Sequence, residues 1–103
     1  MRKARVHYNG QLAGYLSETQ DGFQFVYDSD YLRTGEPISI SLPLRQEPFE
    51  SRELFNSFRG LLPEGWYLDI VSKTAKVDAN DSFGLLLVTA GDTTGSVTVH
   101  QVE

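Results

Sequence analysis

The hydrophobic residues change their spacing twice along the chain, and these changes restrict the fold more than any other feature. In the first part they alternate with polar residues, as between Phe23 and Tyr27, which is typical of half-buried strands. In the second part they recur every three or four residues, as between Leu54 and Leu62, which is typical of an amphipathic helix. Residues 96–102 return to the strand pattern. Strands, then helices, then one strand predict an α+β fold, with a small antiparallel β-sheet and about three short helices.

The chain opens with the pattern of a β-hairpin. Asn9-Gly10 predicts a two-residue turn, because both residues tolerate the positive φ that such a turn requires. We expect the return strand, residues 11–17, to place Leu12 and Leu16 on one face of the sheet. Gly14 predicts a bulge or a close backbone approach within that strand.

Two further features lie between the third strand and the helices. Residues 28–30, Asp-Ser-Asp, predict a cap for a short helical turn through Tyr31 and Leu32. Residues 38–42, Ile-Ser-Ile-Ser-Leu, alternate with a period of two, so they predict another half-buried strand.

Three helices are predicted in the second half of the chain. The first covers residues 54–62, with Ser51 as its N-cap and Pro63 as its stop. The second begins at Trp66, and the third is capped within Asn80-Asp81. The predicted buried stripe of the third helix is Phe83, Leu86, Leu87 and Ala90, with Gly91 after its end.

The charge of the chain argues against direct nucleic-acid binding. The formal net charge is −5, and three of the nine basic residues lie in the first five positions. A phosphate backbone needs clustered lysine and arginine, which the rest of the chain lacks. We therefore expect the isolated chain not to bind DNA, and its acidic surface to favour a basic partner.

Length and composition place the chain among small globular proteins. Its 103 residues are expected to form one domain, residues 1–103, that folds as a monomer. The chain has no cysteine, no apolar run of 18 residues and no secretory leader pattern, so we expect it in the cytoplasm, away from membranes.

The residues that catalysis or metal binding requires are scarce. His7 and His100 lie on strands that could be neighbours, but they have no third ligand at a metal-binding spacing. Residues 78–82 fit helix capping better than a calcium loop. Residues 91–95 follow a helix instead of a strand, so they fit a turn better than a phosphate cradle. No nucleophile elbow or kinase motif is present, so we expect no enzyme activity, no metal and no cofactor.

One short segment is a candidate partner-binding site. It comprises Pro63, Glu64, Gly65, Trp66 and Tyr67. A helix stop and a turn here precede the only tryptophan of the chain, which is followed by a tyrosine. Tryptophan and tyrosine are enriched in binding hot spots, which favours a role in recognition. The alternative is that Trp66 folds over the sheet as part of the core.

Several segments together resemble a known family. They are residues 6–10, 12–16, 25–27, 37–44, 58–65, 81–86 and 91–97. Their combination resembles the N-terminal subdomain of HipA-type serine/threonine kinase toxins. The most specific parts are Ser-Leu-Pro-Leu at residues 41–44 and Leu-Leu-Pro-Glu-Gly at residues 61–65.

The resemblance implies a function in a toxin–antitoxin system. The kinases continue into a large catalytic domain, whereas this sequence stops after its last strand. It is therefore similar to the HipS family, the small antitoxins of three-gene HipBST systems. The resemblance implies binding to a HipT-like kinase, inhibition by docking at its catalytic core, and a HipB-like helix-turn-helix protein in a larger complex. The alternatives are a structural subunit that completes a split kinase and supports its activity, and, less in keeping with the residues, a small enzyme.

Overall fold

The alternating pattern of the first half forms an antiparallel sheet. The computed structural model describes residues 1–62, 65–89 and 96–102, although not the side chains of residues 65–67. The strands within this part of the chain are β1 (Lys3–Tyr8), β2 (Gln11–Glu18), β3 (Phe23–Tyr27), β4 (Phe49–Ser51) and β5 (Val97–Gln101). Their order across the sheet is β4-β3-β2-β1-β5, and every neighbouring pair is antiparallel.

The helices lie between β3 and β5 in the sequence. They are α1 (Tyr31–Thr34), α2 (Asn56–Arg59), α3 (Gly65–Ala75) and α4 (Ser82–Thr89). Strand β4 falls between α1 and α2. The predicted α+β class with an antiparallel sheet is confirmed, because three strands are followed by most of the helices and then by a last strand that closes the sheet.

The first hairpin turns at Asn9-Gly10, as predicted. The φ angles are 52° at Asn9 and 82° at Gly10, in the region that favours these two residue types. The Asn9 N–H also donates to the Ser96 carbonyl at 2.8 Å, which ties the turn to the start of β5.

A bulge in β2 changes which residues face the core. Val6 pairs with Gly14 and His7 pairs with Leu12, so Ala13 is the extra residue on β2. Leu12 therefore shares a face with His7, and the prediction that Leu12 and Leu16 share one face is wrong. The prediction that Gly14 marks a bulge or a close backbone approach is confirmed. Gly14 adjoins the extra residue, Ala13, and a Cβ at position 14 would lie 2.4 Å from the Val26 carbonyl oxygen.

One face of the sheet carries the core, and the short helices cover it. The largest fully buried side chains are Phe25, Phe58, Phe83, Leu16, Leu42, Leu86, Val6 and Val99. They come from β1, β2, β3, β5, α2, α4 and the loop after α1. Phe25 lies at the centre, with its ring centroid 4.9 Å from that of Tyr27 and 5.8 Å from that of Phe58. These aromatic contacts hold α2 against the middle of the sheet.

Two predictions about the region between β3 and α3 are wrong. Residues 38–42 form a turn instead of a strand, because the Leu42 N–H donates back to the Ser39 carbonyl at 3.1 Å. The first helix is shorter than residues 54–62, since α2 covers only Asn56–Arg59. Ser51 is not its N-cap, because Ser51 pairs with Phe23 in strand β4.

The caps of α1 and α4 agree with the sequence. One carboxylate oxygen of Asp28 accepts the N–H groups of Asp30 and Tyr31 at the start of α1, at 3.1 and 3.2 Å. Asp81 accepts the Gly84 N–H at 3.1 Å at the start of α4. Of the predicted stripe of α4, Phe83 and Leu86 are buried and Leu87 is half-buried, while Ala90 and Gly91 lie outside the described residues.

Candidate partner-binding site

The predicted binding segment falls mostly outside the described part of the chain. Pro63 and Glu64 lie outside it, as do the side chains of Gly65, Trp66 and Tyr67. The backbone of the last three residues forms the first turn of α3. Whether Trp66 packs in the core or contacts a partner therefore stays a prediction from the sequence.

The residues directly before this segment are anchored in the core. Phe58 of α2 is fully buried and contacts Phe25 of β3. After α2 the chain continues in tight turns, because the Leu61 N–H donates to the Phe58 carbonyl at 3.0 Å and the Leu62 N–H donates to the Arg59 carbonyl at 3.1 Å. The backbone of residues 58–62, directly before the candidate site, is thus held by hydrogen bonds and by the buried ring of Phe58.

The helix after this segment lies at the surface. Leu68 and Val71 of α3 are half-buried, and Ile70 on the same helix is 47% exposed. None of the described side chains of α3 is fully buried. The described side chains of α3, from Leu68 to Ala75, therefore contribute little to the core, and Ile70 is accessible to solvent.

A tyrosine hydroxyl closes the turn at residues 38–42. The Tyr27 hydroxyl accepts the Ile38 N–H at 3.1 Å and donates to the Leu42 carbonyl. Ile38 and Leu42 are buried beside it, but Ile40 at the tip is fully exposed (102%). Burial raises the pKa of Tyr27 above its ordinary value, so the hydroxyl keeps the proton that it donates.

The same turn contacts α2 through two serine side chains. The Ser41 hydroxyl lies 3.3 Å from the Ser57 hydroxyl, and the Ser39 hydroxyl lies 3.1 Å from that of Ser41. Because residues 38–42 alternate between apolar and polar types, the sequence predicts a strand where the structure has this loop. The signal that could have revealed it is the pair of prolines, Pro37 and Pro43, which enclose five residues and favour a bounded loop.

The Tyr27 hydroxyl gives a first testable prediction. Tyr27→Phe leaves the Ile38 N–H and the Leu42 carbonyl without this partner, and buried groups without partners are costly. We expect the free energy of unfolding to fall by about 1–3 kcal/mol, measured by urea denaturation. Tyr15→Phe is the matched control, because the Tyr15 hydroxyl makes only a long contact of 3.4 Å with Asp28. Equal losses in both variants would contradict the role assigned to Tyr27.

An ionic cluster joins the N-terminus to the start of α4. The Arg2 guanidinium lies 2.7 Å from Glu18 and 2.7 Å from Asp81, and it also lies over the Phe83 ring at 5.2 Å from the centroid. Its hydrogen bonds lower the pKa values of both carboxyl groups, and they raise the pKa of Arg2. This cluster has a structural role, since Asp81 also caps α4.

The pH dependence of stability follows from this cluster. The folded protein lowers the pKa of Glu18 and of Asp81 from ordinary values of 4.5 and 3.8, so their stabilisation is present above these values and is lost as the pH falls further. Arg2→Met should lower stability at pH 7 by only about 1 kcal/mol, because between a quarter and about a third of each side chain remains exposed to screening solvent. Urea denaturation at neutral pH and near pH 2 checks this expectation.

The matched control for Arg2→Met is Arg59→Met. Arg59 contacts Glu53 at 3.4 Å, and both side chains are largely exposed. We expect Arg59→Met to unfold like the parent chain at either pH. If Arg2→Met shows the same acid dependence as the parent, the cluster does not contribute to the acid sensitivity.

The two histidines are neighbours on the face of the sheet opposite the core, as the sequence suggested. Their ring centroids are 5.3 Å apart and their planes are nearly perpendicular. Burial lowers the pKa of His7, and His100 and Arg5 lower it further. Among the described residues there is no group of three or more histidines or carboxylates that could hold a metal ion.

The structure describes one of the two remaining candidate segments, residues 78–82, but not the other, residues 91–95. In the predicted capping segment, Asp78 accepts the Asn80 N–H at 2.8 Å, and Asp81 caps α4. Helix capping is therefore confirmed for residues 78–82. Residues 91–95, the weak phosphate-loop candidate, lie outside the described residues. No helix within the described ranges is long and apolar enough to cross a membrane.

The fold and the sequence place the chain in a known family. The HipA N-terminal domain family matches residues 4–100, and the chain belongs to this family. A solved structure of the N-terminal domain of HipA toxin superposes with a TM-score of 0.76 at 34% identity, covering 100% of this chain and 94% of that one.

The chain is similar to relatives of two different lengths, one short and one long. An uncharacterised protein of Haemophilus influenzae is 36% identical over 101 residues, which are 98% of this chain and 93% of that protein. A Sinorhizobium fredii protein named "Putative kinase Y4mE" is 32% identical over 100 residues, which are 94% of this chain but 24% of that protein. The chain therefore spans nearly all of the first relative and about a quarter of the second.

A larger assembly contains the same fold. In the structure of HipA, HipB and operator DNA from Shewanella oneidensis, the matched chain superposes with a TM-score of 0.72 at 23% identity. The match covers 94% of this chain and 23% of that chain. At this identity the likeness shows the shared fold alone.

Proposed function

We propose that this protein is an antitoxin that binds and inhibits a HipT-like serine/threonine kinase. The observation that carries the proposal is the extent of the family match. Nearly all of this sequence corresponds to the N-terminal domain of HipA-type proteins, whereas the kinase-named relative is about four times as long as the matched part. The matched region is the N-terminal domain alone, so the proposal assigns to these residues the binding of a kinase and no catalytic step of their own.

Residues 63–67 are the proposed point of inhibition. They follow an anchored stretch that ends at Leu62, and the last three of them form the first turn of α3. This position suits a segment that contacts a partner, because the flanking structure is fixed without it. Trp66 is the proposed anchor, since tryptophan is among the residue types that are enriched at positions where truncation costs the most binding energy. Its insertion at the catalytic core would exclude nucleotide or substrate.

The proposal extends to the assembly and its location. The Shewanella structure contains HipA, HipB and operator DNA together. We infer that this chain joins a comparable complex with a HipB-like helix-turn-helix protein, and that it reaches DNA only through that partner. Its net charge of −5 supports this, because it disfavours direct phosphate contact. The isolated chain is proposed to be a cytoplasmic monomer.

Co-expression with the kinase tests this function. The chain is induced together with a HipT-like kinase from the same genome, and growth is compared with that of cells expressing the kinase alone. Recovery of growth supports the antitoxin. Stronger growth arrest would instead favour a structural subunit that completes the kinase, and unchanged growth would contradict both functions. Titration of the purified chain into the purified kinase should lower the rate of phosphate transfer in parallel.

A further inference from the structure

The core lies on one face of the sheet only. The helical side chains that reach the sheet pack on this face, and they are Tyr31, Phe58, Phe83 and Leu86. On the opposite face, no described side chain of β1, β2, β3 or β5 is fully buried. This second face, which we call the open face, is therefore accessible to a partner in the folded protein.

The strand register collects basic side chains on one half of the open face. Lys3, Arg5 and His7 alternate along β1 and share this face, because the residues between them are buried in the core. His100 of β5 pairs with Arg5, so it lies on the same face, and its ring centroid is 5.3 Å from that of His7. Four basic side chains from the two ends of the chain thus form one group, which we call the basic cluster.

Acidic residues do not balance the basic cluster. Among the described residues no carboxylate forms an ion pair with Lys3 or Arg5, whereas Arg2 and Arg59 both have carboxylate partners. Strands β1 and β5 contain no acidic residue. Glu50 of β4 lies three strands from β1, about 14 Å away at about 4.8 Å per strand. This half of the open face is therefore positive, although the net charge of the chain is −5.

A half-buried apolar strip lies beside the basic cluster. It consists of Leu12 and Tyr15 of β2 and Val26 of β3, and the register places the first two next to residues of β1. The Lys3 ammonium lies 5.1 Å from the centroid of the Tyr15 ring. Asp28, which contacts the Tyr15 hydroxyl at 3.4 Å, is already engaged as the cap of α1. A segment bound across β1 and β2 would therefore contact basic and apolar side chains together.

The chemistry of the cluster favours an acidic protein segment over a nucleic acid. Burial lowers the pKa of His7, and His100 and Arg5 lower it further, so His7 contributes little charge at neutral pH. A continuous phosphate backbone needs more positive charge than this cluster holds, and the net charge of −5 repels it. A short segment with a few carboxylates needs only the cluster itself.

We propose that the open face over β5, β1 and β2 binds an acidic protein segment that carries apolar side chains. The carboxylates of this segment pair with Lys3 and Arg5, and its apolar side chains cover Leu12 and Tyr15. A second copy placed face to face would instead bring like charges together. The strands are formed without the partner, so little ordering opposes binding. This inference goes beyond the proposed function and does not depend on it, because it involves neither the kinase nor residues 63–67.

Fluorescence anisotropy with a labelled acidic peptide tests the open face. The probe is a short peptide of glutamate and leucine, and the control probe carries glutamine in place of each glutamate. The parent chain should bind the first peptide and not the second, and added salt should weaken the binding. Arg5→Glu should weaken it by about tenfold or more, and Arg5→Gln by less.

Arg33→Glu is the matched control for Arg5→Glu. Arg33 of α1 is exposed and lies outside the open face, and its reversal changes the net charge of the chain by the same amount. It should bind the acidic peptide like the parent. All three variants should unfold at the parent's urea midpoint, because Arg5 and Arg33 are exposed and neither has an ion pair among the described residues.

Several results would overturn the inference. If the acidic peptide does not bind, or both peptides bind equally, the open face does not recognise acidic segments. Equal losses in Arg5→Glu and Arg33→Glu would assign the binding to net charge instead of to this face. If only a labelled single-stranded DNA binds, and Arg5→Glu removes that binding, the partner is a nucleic acid. If the parent sediments as a dimer and Arg5→Glu as a monomer, the face binds a second copy. The growth test of the proposed function is independent of all these results.

Discussion

Trp66→Ala is expected to abolish or strongly weaken neutralisation of the kinase while the fold remains intact. An indole buried in a partner pocket typically contributes about 2–4 kcal/mol, which corresponds to a loss of affinity of about 30- to 1,000-fold. Two measurements on the same variant test whether Trp66 anchors binding: thermal unfolding, and protection of cells that express the kinase. The expected result is a parent-like melting temperature with lost protection.

The alternative role of Trp66 leads to a different result. A tryptophan in the core would lose about 3–5 kcal/mol on truncation to alanine, enough to unfold a small domain. An unfolded variant would therefore assign Trp66 to the core, and the binding surface would have to lie elsewhere. A variant that melts like the parent and still protects cells would contradict the anchor. Tyr67→Ala, the adjacent aromatic truncation, shows whether the effect is specific to the indole.

Phe58→Ala is expected to unfold the protein or bring it close to unfolding. Phe58 is fully buried against Phe25, and truncation of a core phenylalanine costs about 3–5 kcal/mol. A domain of this size has a total stability of about 5–15 kcal/mol. The measurement is urea denaturation followed by circular dichroism. Neutralisation should also be lost, because α2 holds the chain directly before residues 63–67.

Phe55→Ala is the matched control for Phe58→Ala. Phe55 precedes α2, is only half-buried, and its ring centroid lies 6.3 Å from that of Phe58. It should cost less than half as much as Phe58→Ala. Similar losses in the two variants would mean that α2 is not anchored mainly through Phe58. If the Phe58→Ala protein folds normally but does not neutralise the kinase, Phe58 contributes to binding and not mainly to stability.

The features that the sequence predicts correctly depend on neighbouring residues. The turn at Asn9-Gly10 follows from the backbone freedom of two adjacent residues, and the cap at Asp81 follows from a carboxylate three residues before the N–H that it accepts. Gly14 predicts a bulge because a glycine within a strand commonly marks one. In each case the cause lies within a few positions, so a pattern can reveal it.

The features that the sequence misses depend on distant residues. The turn at residues 38–42 forms because Tyr27, more than ten positions earlier, binds both of its ends. Strand β4 has three residues, too few to show a period, and only its pairing with β3 defines it. The side of the sheet on which Leu12 lies is decided by the register with β1, in which Val6 pairs with Gly14 and His7 pairs with Leu12. The candidate site at Trp66 rests on residue type and local context, and its environment stays a prediction.

The interior position of β1, between the first hairpin partner and the last strand, has a consequence for the order in which the protein can be completed during synthesis. β1 lies between β2 and β5, and its neighbour Arg2 contacts Asp81, 79 positions away. The hairpin of β1 and β2 can form as soon as it leaves the ribosome, but one edge of β1 stays open until β5 has been translated. Such long-range closure is slow compared with local pairing. A nascent or truncated chain would therefore present an unpaired strand edge, and the complete sheet would become available only when translation of β5 is finished.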